Sequence, residues 1–373
     1  MHLEGDVDIG AGGWGSLIGR LNGALKSIGF GSQPTVLYGA DSDGFISYLF
    51  LKKILRNDGR SIGDARSYLT YQYLFSDVIE EPTKKHEHLV ALDVPLIQEV
   101  DRLRKKRPYL PILIVDHHGF RGRAPSEDNI EYINPVYEGL RSKERTPVCL
   151  MLFHVMLLRK DVSEIDALLL AVGLLGDSAL RDFPRLHERL GSLPGVRLDQ
   201  RNPLQSSIGT LTRAITSTFQ LHPNTGTIKW IEEAYDEGDL QALVQSTKSS
   251  EVIQAFEDTV DREINISKSK SRKENGWLFY SLSGSEFVSN ISARKISNQH
   301  VNDICVVEFL TSDICQYEFR YAGRDRNIPE EIRKSGASRY ALSFGGHPTA
   351  CGAIVSREDR QSFLRCLGFD GVA

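Results

Sequence analysis

Three short apolar runs end in carboxylate or imidazole, and an apolar helical stretch ends in a further carboxylate. The run Pro34–Tyr38 leads into Gly39-Ala40-Asp41-Ser42-Asp43-Gly44, and His88–Leu92 leads into Asp93. Tyr109–Val115 leads into Asp116-His117-His118-Gly119, and residues 164–176 close on Gly176-Asp177. A lone aspartate in such a place is commonplace, because its side chain caps the next helix by accepting orphaned N–H groups. Asp41 alone reads that way, and Asp43, directly before Gly44 and a helix, caps as readily. The set carries more chemistry than its members. Asp41, Asp43, Asp93, His117 and Asp177 combine hard oxygen donors with imidazole, a mixture suited to Mn²⁺ or Mg²⁺ and less specifically to Zn²⁺. Carboxylates crowded together repel one another and call for a cation to neutralise them. Two such ions would hold a phosphoryl group and acidify a bridging water. His117-His118 divides into one ligand and one phosphate contact; the plainer alternative is two polar turn residues.

Bringing these groups together takes strands that all point the same way. Apolar runs alternating with helical patterns predict a parallel sheet covered on both faces, with ligands beyond the carboxyl ends of its strands. Leu17, Leu21, Leu25 and Ile28 predict an amphipathic helix before the first strand, ending at Gly29 and Gly31. Further helices are expected over Phe45–Leu55, over the charged stretch Ile97–Arg107, and around 147–160 and 164–176. Beyond these, Pro184, Pro194 and Pro203 punctuate the chain, and Asp239–Arg262 reads as helix. The Ser/Lys-rich segment Ser267–Arg272 reads as a linker or exposed loop.

A second domain is expected from about Asn275. Trp277–Leu282, Asp303–Leu310 and Ile314–Tyr321 read as strands, and Asn327–Lys334 as a short helix. Phe344-Gly345-Gly346-His347-Pro348-Thr349-Ala350-Cys351-Gly352 follows, then a terminal helix. Gly345 and Gly346 would form a turn that a ligand approaches closely, its N–H groups a nest for an anion. His347 would touch phosphate or base, with Arg294, Arg320 and Arg324 as candidate phosphate clamps. The expected division is an N-terminal extension and helix (1–33), a catalytic domain (34–190), a helical connector (191–274) and a substrate-binding domain (275–373).

Composition narrows the class. The 373 residues are 40% hydrophobic and 25% charged, as in ordinary globular proteins, and long enough for two cores. A net charge of -4 provides no global field for long nucleic acid. The 5 cysteines (149, 305, 315, 351, 366) include no CxxC pair and suit reduced thiols better than a disulfide scaffold. Met1–Gly15 is acidic and glycine-rich, unlike a signal peptide, and the apolar runs are too short to span a bilayer. A cytoplasmic location with no membrane partner is therefore expected, and a homo-oligomer is compatible with this reading.

With these motifs in view, the chain resembles the DHH phosphoesterases. Val36–Gly44, Ala91-Leu92-Asp93, Val115–Gly119 and Gly173–Asp177 match the four ordered motifs of that family. Gly345–His347 through Ala350–Gly352 looks like the glycine-rich signature of the associated DHHA1 domain. The resemblance implies an α/β architecture, a parallel-sheet DHH catalytic domain plus a smaller mixed α/β DHHA1 domain. It also implies two Mn²⁺ ions, with Asp41 on one, Asp43, His117 and Asp177 on the other, and Asp93 bridging. Asp116 would be a supporting residue, His118 would face the scissile phosphate, and Arg294, Gly345, Gly346 and His347 would receive the nucleotide end. One departure stands out: family members usually carry His or Asp two residues before Asp41, where this chain has Gly39. One metal site is then complete, and the ion on Asp41 lacks a ligand.

The function expected is a metal-dependent hydrolase of short single-stranded oligonucleotides or small nucleotides. The alternative is a catalytically weakened or inactive relative that binds nucleotide or nucleic acid. Gly39 supports the alternative; retention of the other ligands opposes it.

Overall fold

The computed structural model describes residues 13–28, 33–68, 88–98, 100–118, 129–140, 146–199, 203–222, 228–282, 288–311, 313–323 and 325–371. Residues 1–12, Gly29, Gly31, Gly119 and Arg324 lie outside them. The chain divides into two compact units, Met1–Ile253 and Gln254–Ala373.

The first unit is a five-stranded parallel sheet. Its strands are β1 (Thr35–Gly39), β2 (Asp64–Tyr68), β3 (Leu89–Leu92), β4 (Ile112–Val115) and β5 (Ile130–Ile133), in the order β2-β1-β3-β4-β5. β1, β3 and β4 are buried along their whole length, as strands covered on both faces must be. β2 and β5 escaped the sequence reading. They are the edge strands, Asp-Ala-Arg-Ser-Tyr and Ile-Glu-Tyr-Ile, and their mixed composition hides them.

Helix α1 (Trp14–Ser27) buries Leu17, Leu21 and Leu25, the positions whose spacing predicts it. Helix α2 (Ser42–Asn57) extends the expected Phe45–Leu55 by about a turn at its start. The charged stretch after Asp93 is two pieces, a 3₁₀ turn Leu96–Gln98 and helix α3 (Val100–Lys106). Helices α4 (Val148–Leu158) and α5 (Glu164–Gly176) are apolar nearly all round, and α2 packs against both. A helix without a polar face belongs in a core.

Within the stretch 191–274, helix α7 (Ser207–Leu221) packs on α5, following α6 (Pro184–Gly191). Phe219 of α7 stands edge-on to Tyr38 and Phe45, closing that side of the sheet. Helices α8 (Lys229–Glu237), α9 (Leu240–Val244) and α10 (Thr247–Lys268) follow. The expected linker or exposed loop over Ser267–Arg272 is found only in its middle, where Ser269 and Lys270 form an exposed turn. Ser267 is buried inside α10, its Oγ donating to Ile264 O at 3.0 Å, and Arg272–Glu274 is strand β6. At Ser267 polar composition misled because serine satisfies its hydroxyl within its own helix.

The second unit carries a mixed six-stranded sheet, ordered β10-β11-β9-β8-β7-β6. Its strands are β6, β7 (Trp277–Leu282), β8 (Ile304–Leu310), β9 (Ile314–Arg320), β10 (Ala341–His347) and β11 (Ala350–Ser356). Helix α11 (Ser289–Gln299) packs on β8 and β9; α12 (Ile328–Ser335) and α13 (Arg360–Cys366) complete the unit. Phe279, Val306, Tyr317, Phe319, Ile332 and Phe363 form its core. The expected Gly345–His347 turn is also corrected. These residues end β10, with Gly345 opposite Gly352, Gly346 opposite Cys351 and His347 opposite Ala350. The reversal is Pro348-Thr349. Gly346 has φ 150, and a Cβ there would lie 2.3 Å from Ala350 O, so only glycine fits the strand end.

Candidate metal centre

The parallel register brings three strand ends level. Tyr38 pairs with Leu92 and Leu92 with Val115, so Gly39, Asp93 and Asp116 follow at one carboxyl edge. The edge is bonded across: Asp93 N–H donates to Val115 O and Asp116 N–H to Ile133 O. Helix α2 starts against it. A Cβ on Gly44 would lie 2.2 Å from Gly39 O, so the glycine lets the helix meet the strand it has just left.

Asp43, on the first turn of α2, is fully buried. Its carboxylate accepts the N–H groups of Val148 at 2.7 Å and Cys149 at 2.8 Å, at the start of α4. The positive end of that helix favours the ionised form. Burial works the other way and prevails: it raises the Asp43 pKa, against the lowering pull of His117 and Cys149. Asp177 caps the carboxyl end of α5, where the helix dipole disfavours an anion. Burial, then Asp43 and Asp41, push its pKa up to about 9.

Asp93 sits where these groups meet. Its φ of 56 is left-handed, a conformation that costs a non-glycine residue on the order of 1 kcal/mol and gathers at functional sites. Burial pushes its pKa well above the carboxylate range, and Asp41, Asp43, Asp177 and Asp116 add repulsion. His117 Nε2 lies 3.2 Å from Asp93 Oδ1 and 3.4 Å from Asp177 Oδ2. Among the described residues, two triads have ligand atoms within 4.8 Å of one another, Asp43-His117-Asp177 and Asp93-His117-His118.

Whether a cation fits is answered by the unsatisfied atoms. Asp93 Oδ1 and Asp177 Oδ2 are both buried without a hydrogen-bond partner. Buried carboxylate oxygens are expensive to leave unpaired, and these face the same imidazole nitrogen. Oxygen donors with one imidazole suit Mn²⁺ or Mg²⁺, so Asp43, Asp93, His117 and Asp177 can hold such an ion.

Asp116 supports rather than joins this set. Its Oδ1 accepts the N–H groups of His117 at 2.8 Å and His118 at 3.1 Å, and meets His118 Nδ1 at 2.7 Å. Burial alone would lower the His118 pKa; the Asp116 bond and charge, with Asp41 and Asp43, turn the balance upward. The His118 side chain remains 48% exposed, which leaves it open to an incoming molecule. Asp41 stands apart. It is exposed, and its Oδ1 accepts Gly44 N–H at 3.0 Å as the cap of α2.

Asn134 escaped the sequence reading. Fully buried after β5, it donates from Nδ2 to His118 O at 3.1 Å and to Tyr132 Oη at 2.7 Å. It thereby ties the histidine pair to the neighbouring strand. The signal was present in Ile133-Asn134-Pro135: a polar residue at a strand end, as Asp93 and Asp116 are.

In the second unit, Gly345, Gly346, His347 and Arg294 are all exposed. Arg294 is on α11, and the other three end β10. Arg320, the alternative clamp, ion-pairs with Glu318 at 3.4 Å.

No protein-family model and no curated relative matches this chain. Solved structures do. The chain resembles an exonuclease RecJ bound to manganese at 16% identity and TM-score 0.60, covering 95% of this chain and 93% of that one. RecJ from Thermus thermophilus, in complex with Mn²⁺, gives 14% identity and TM-score 0.62, over 94% of this chain and 53% of that one. A DHH domain described as a member of a family of ribosomal proteins gives 14% identity and TM-score 0.66, over 95% of this chain and 90% of that one. The likeness runs through the parallel sheet, its helices and the separate mixed sheet: this chain has the DHH-family fold.

Proposed function

We propose that this chain is a metal-dependent phosphoesterase that hydrolyses phosphodiester or phosphomonoester bonds of short oligonucleotides or small nucleotides. The observation carrying the proposal is the pair of buried, unpartnered oxygens, Asp93 Oδ1 and Asp177 Oδ2, converging on His117 Nε2. Likeness to RecJ structures solved with manganese supports the same reading, with Mn²⁺ as the ion and Mg²⁺ as its substitute.

Asp43, Asp93, His117 and Asp177 would hold the ion. Bound there, a divalent cation supplies an acidified water and neutralises charge growing on the phosphoryl oxygens. The chain's own residues complete the chemistry. Asp116 takes the Nδ1–H of His118, which fixes the ring and leaves Nε2 for the substrate. The raised pKa of His118 favours an N–H at that atom. As water oxygen bonds to phosphorus and the P–O bond to the leaving group breaks, this N–H donates to the departing oxygen. Asn134 holds the backbone of His118 in register. In the second unit, Arg294 and the exposed Gly345, Gly346 and His347 would bind the nucleotide end of the substrate.

An inactive binding module would have no use for buried, mutually repelling carboxylates, which only cost stability. The test is hydrolysis of dinucleotides, short RNA and DNA oligomers, cyclic dinucleotides and 3′-phosphoadenosine 5′-phosphate with Mn²⁺. Turnover of at least one is expected, with Asp93→Ala lowering kcat by roughly 100-fold or more. Wild type and variant equally inert across the panel would sink the proposal.

A further inference from the structure

Four local features bear on how many ions the centre takes. The first is Gly39. A Cβ built on it would lie 2.7 Å from Asp93 Oδ2 and 2.8 Å from Asp93 O. The space a ligand side chain would need at position 39 is therefore filled by Asp93, side chain and main chain together. The second is the backbone of Asp93, whose left-handed turn accompanies this close approach of its carbonyl to Gly39. A glycine at 39 and a left-handed aspartate at 93 are one packing solution rather than two independent choices.

The third feature is Asp41. It caps α2 through Gly44 N–H and belongs to neither of the triads whose ligand atoms converge. The fourth is His117, which both triads share. Its Nε2 is the atom facing Asp93 and Asp177. An imidazole nitrogen has a single in-plane lone pair, so it binds one ion and cannot bridge two. The His118 atom that faces Asp93 is Nδ1, at 3.7 Å, and Asp116 already takes it at 2.7 Å, which leaves Nε2 for the substrate.

Resting on the phosphoesterase reading, we propose that this centre binds a single divalent ion, held by Asp43, Asp93, His117 and Asp177, with Asp41 outside the ligand set. Asp93 then serves one ion instead of bridging a pair. The ion and His118 are left to share the stabilisation of the phosphoryl group.

Titration of the full-length, metal-stripped chain with Mn²⁺, followed by calorimetry and by the paramagnetic resonance of bound Mn²⁺, tests this without reference to activity. One ion per chain is expected, with no spin coupling between ions. Asp41→Asn, which keeps the helix cap, should bind one ion with an affinity within about threefold of wild type. Asp177→Asn should weaken binding by roughly tenfold or more, given that even outer-sphere partners of a metal ligand are worth that much. Two ions per wild-type chain, falling to one in Asp41→Asn, would overturn the single-ion proposal and leave the phosphoesterase reading standing. No ion bound by a folded wild-type chain would overturn both.

Discussion

Both units of this protein bury carboxylates, and they do so in opposite ways. In the second unit, Glu308 is fully buried between strands and helix. Arg360 meets both its oxygens at 2.8 Å, Tyr317 Oη donates at 2.7 Å and Ser281 Oγ at 3.0 Å. Every bonding direction is used and the charge is neutralised. In the first unit, Asp43, Asp93 and Asp177 share a small volume with one imidazole between them, and two of their oxygens have no partner. The saturated carboxylate behaves as a structural part. The unsaturated group is the one that can take up a cation, and its missing bonds say where.

Three experiments probe that contrast. The largest effect is expected from Arg360→Leu. Removing one member of a buried pair strands the other, so stability should fall by about 3–5 kcal/mol in urea unfolding, and Mn²⁺ should not restore it. A loss under about 1 kcal/mol would mean that Glu308 is not held by this arginine. Next comes the response of the wild type to metal. At a Mn²⁺ concentration one hundred times Kd, mass action stabilises the fold by about 2.7 kcal/mol, seen as a higher Tm. That rise should vanish in Asp177→Asn; an unchanged rise would place the ion elsewhere.

The smallest of the three concerns a buried imidazole outside both clusters. His154 on α4 lies edge-on to Trp14 of α1, and neither ring nitrogen has a hydrogen-bond partner. Burial drops its pKa from 6.5 to about 4. Because the folded pKa is the lower one, the unfolded chain takes up the proton first as pH falls. The neutral ring's contribution is complete above pH 6.5 and disappears progressively toward pH 4. Between pH 7 and pH 5 the wild type should lose about 2 kcal/mol more than His154→Leu, at ~1.4 kcal/mol per unit below the unfolded pKa. Parallel stability–pH curves for the two proteins would show that His154 protonates as easily folded as unfolded.

Much of the fold was legible because its signals are local. The spacing of Leu17, Leu21 and Leu25 marks α1, the unbroken apolar runs mark β1, β3 and β4, and Asn327-Ile328-Pro329 marks the start of α12. Parallel strands must deliver their last residues to one edge, so Asp93, Asp116 and His117 fall together from their positions after β3 and β4. Asp43 and Asp177 reach them only through the packing of α2 against α5. Edge strands β2 and β5 were not legible, since half-exposed strands lack that apolar signature. Nor was β10, where glycines suggest a turn until a partner strand supplies the hydrogen bonds.

The amino-acid sequence by itself determined which candidate donors the centre has and at which strand and helix ends they stand. That information lies in residue identity and short-range periodicity. Only the tertiary structure decided what each donor is free to do. Asp41 is committed to a helix cap and Asp116 to the histidine pair. Asp93 fills the space beside Gly39, and Asn134 reaches in from β5 to hold His118. The Asp41 cap and the Asp116 bonds are local, but the Asp93–Gly39 approach and the Asn134 bond join residues far apart in the chain, and they settle which lone pairs stay unused. Composition and spacing carry no record of that.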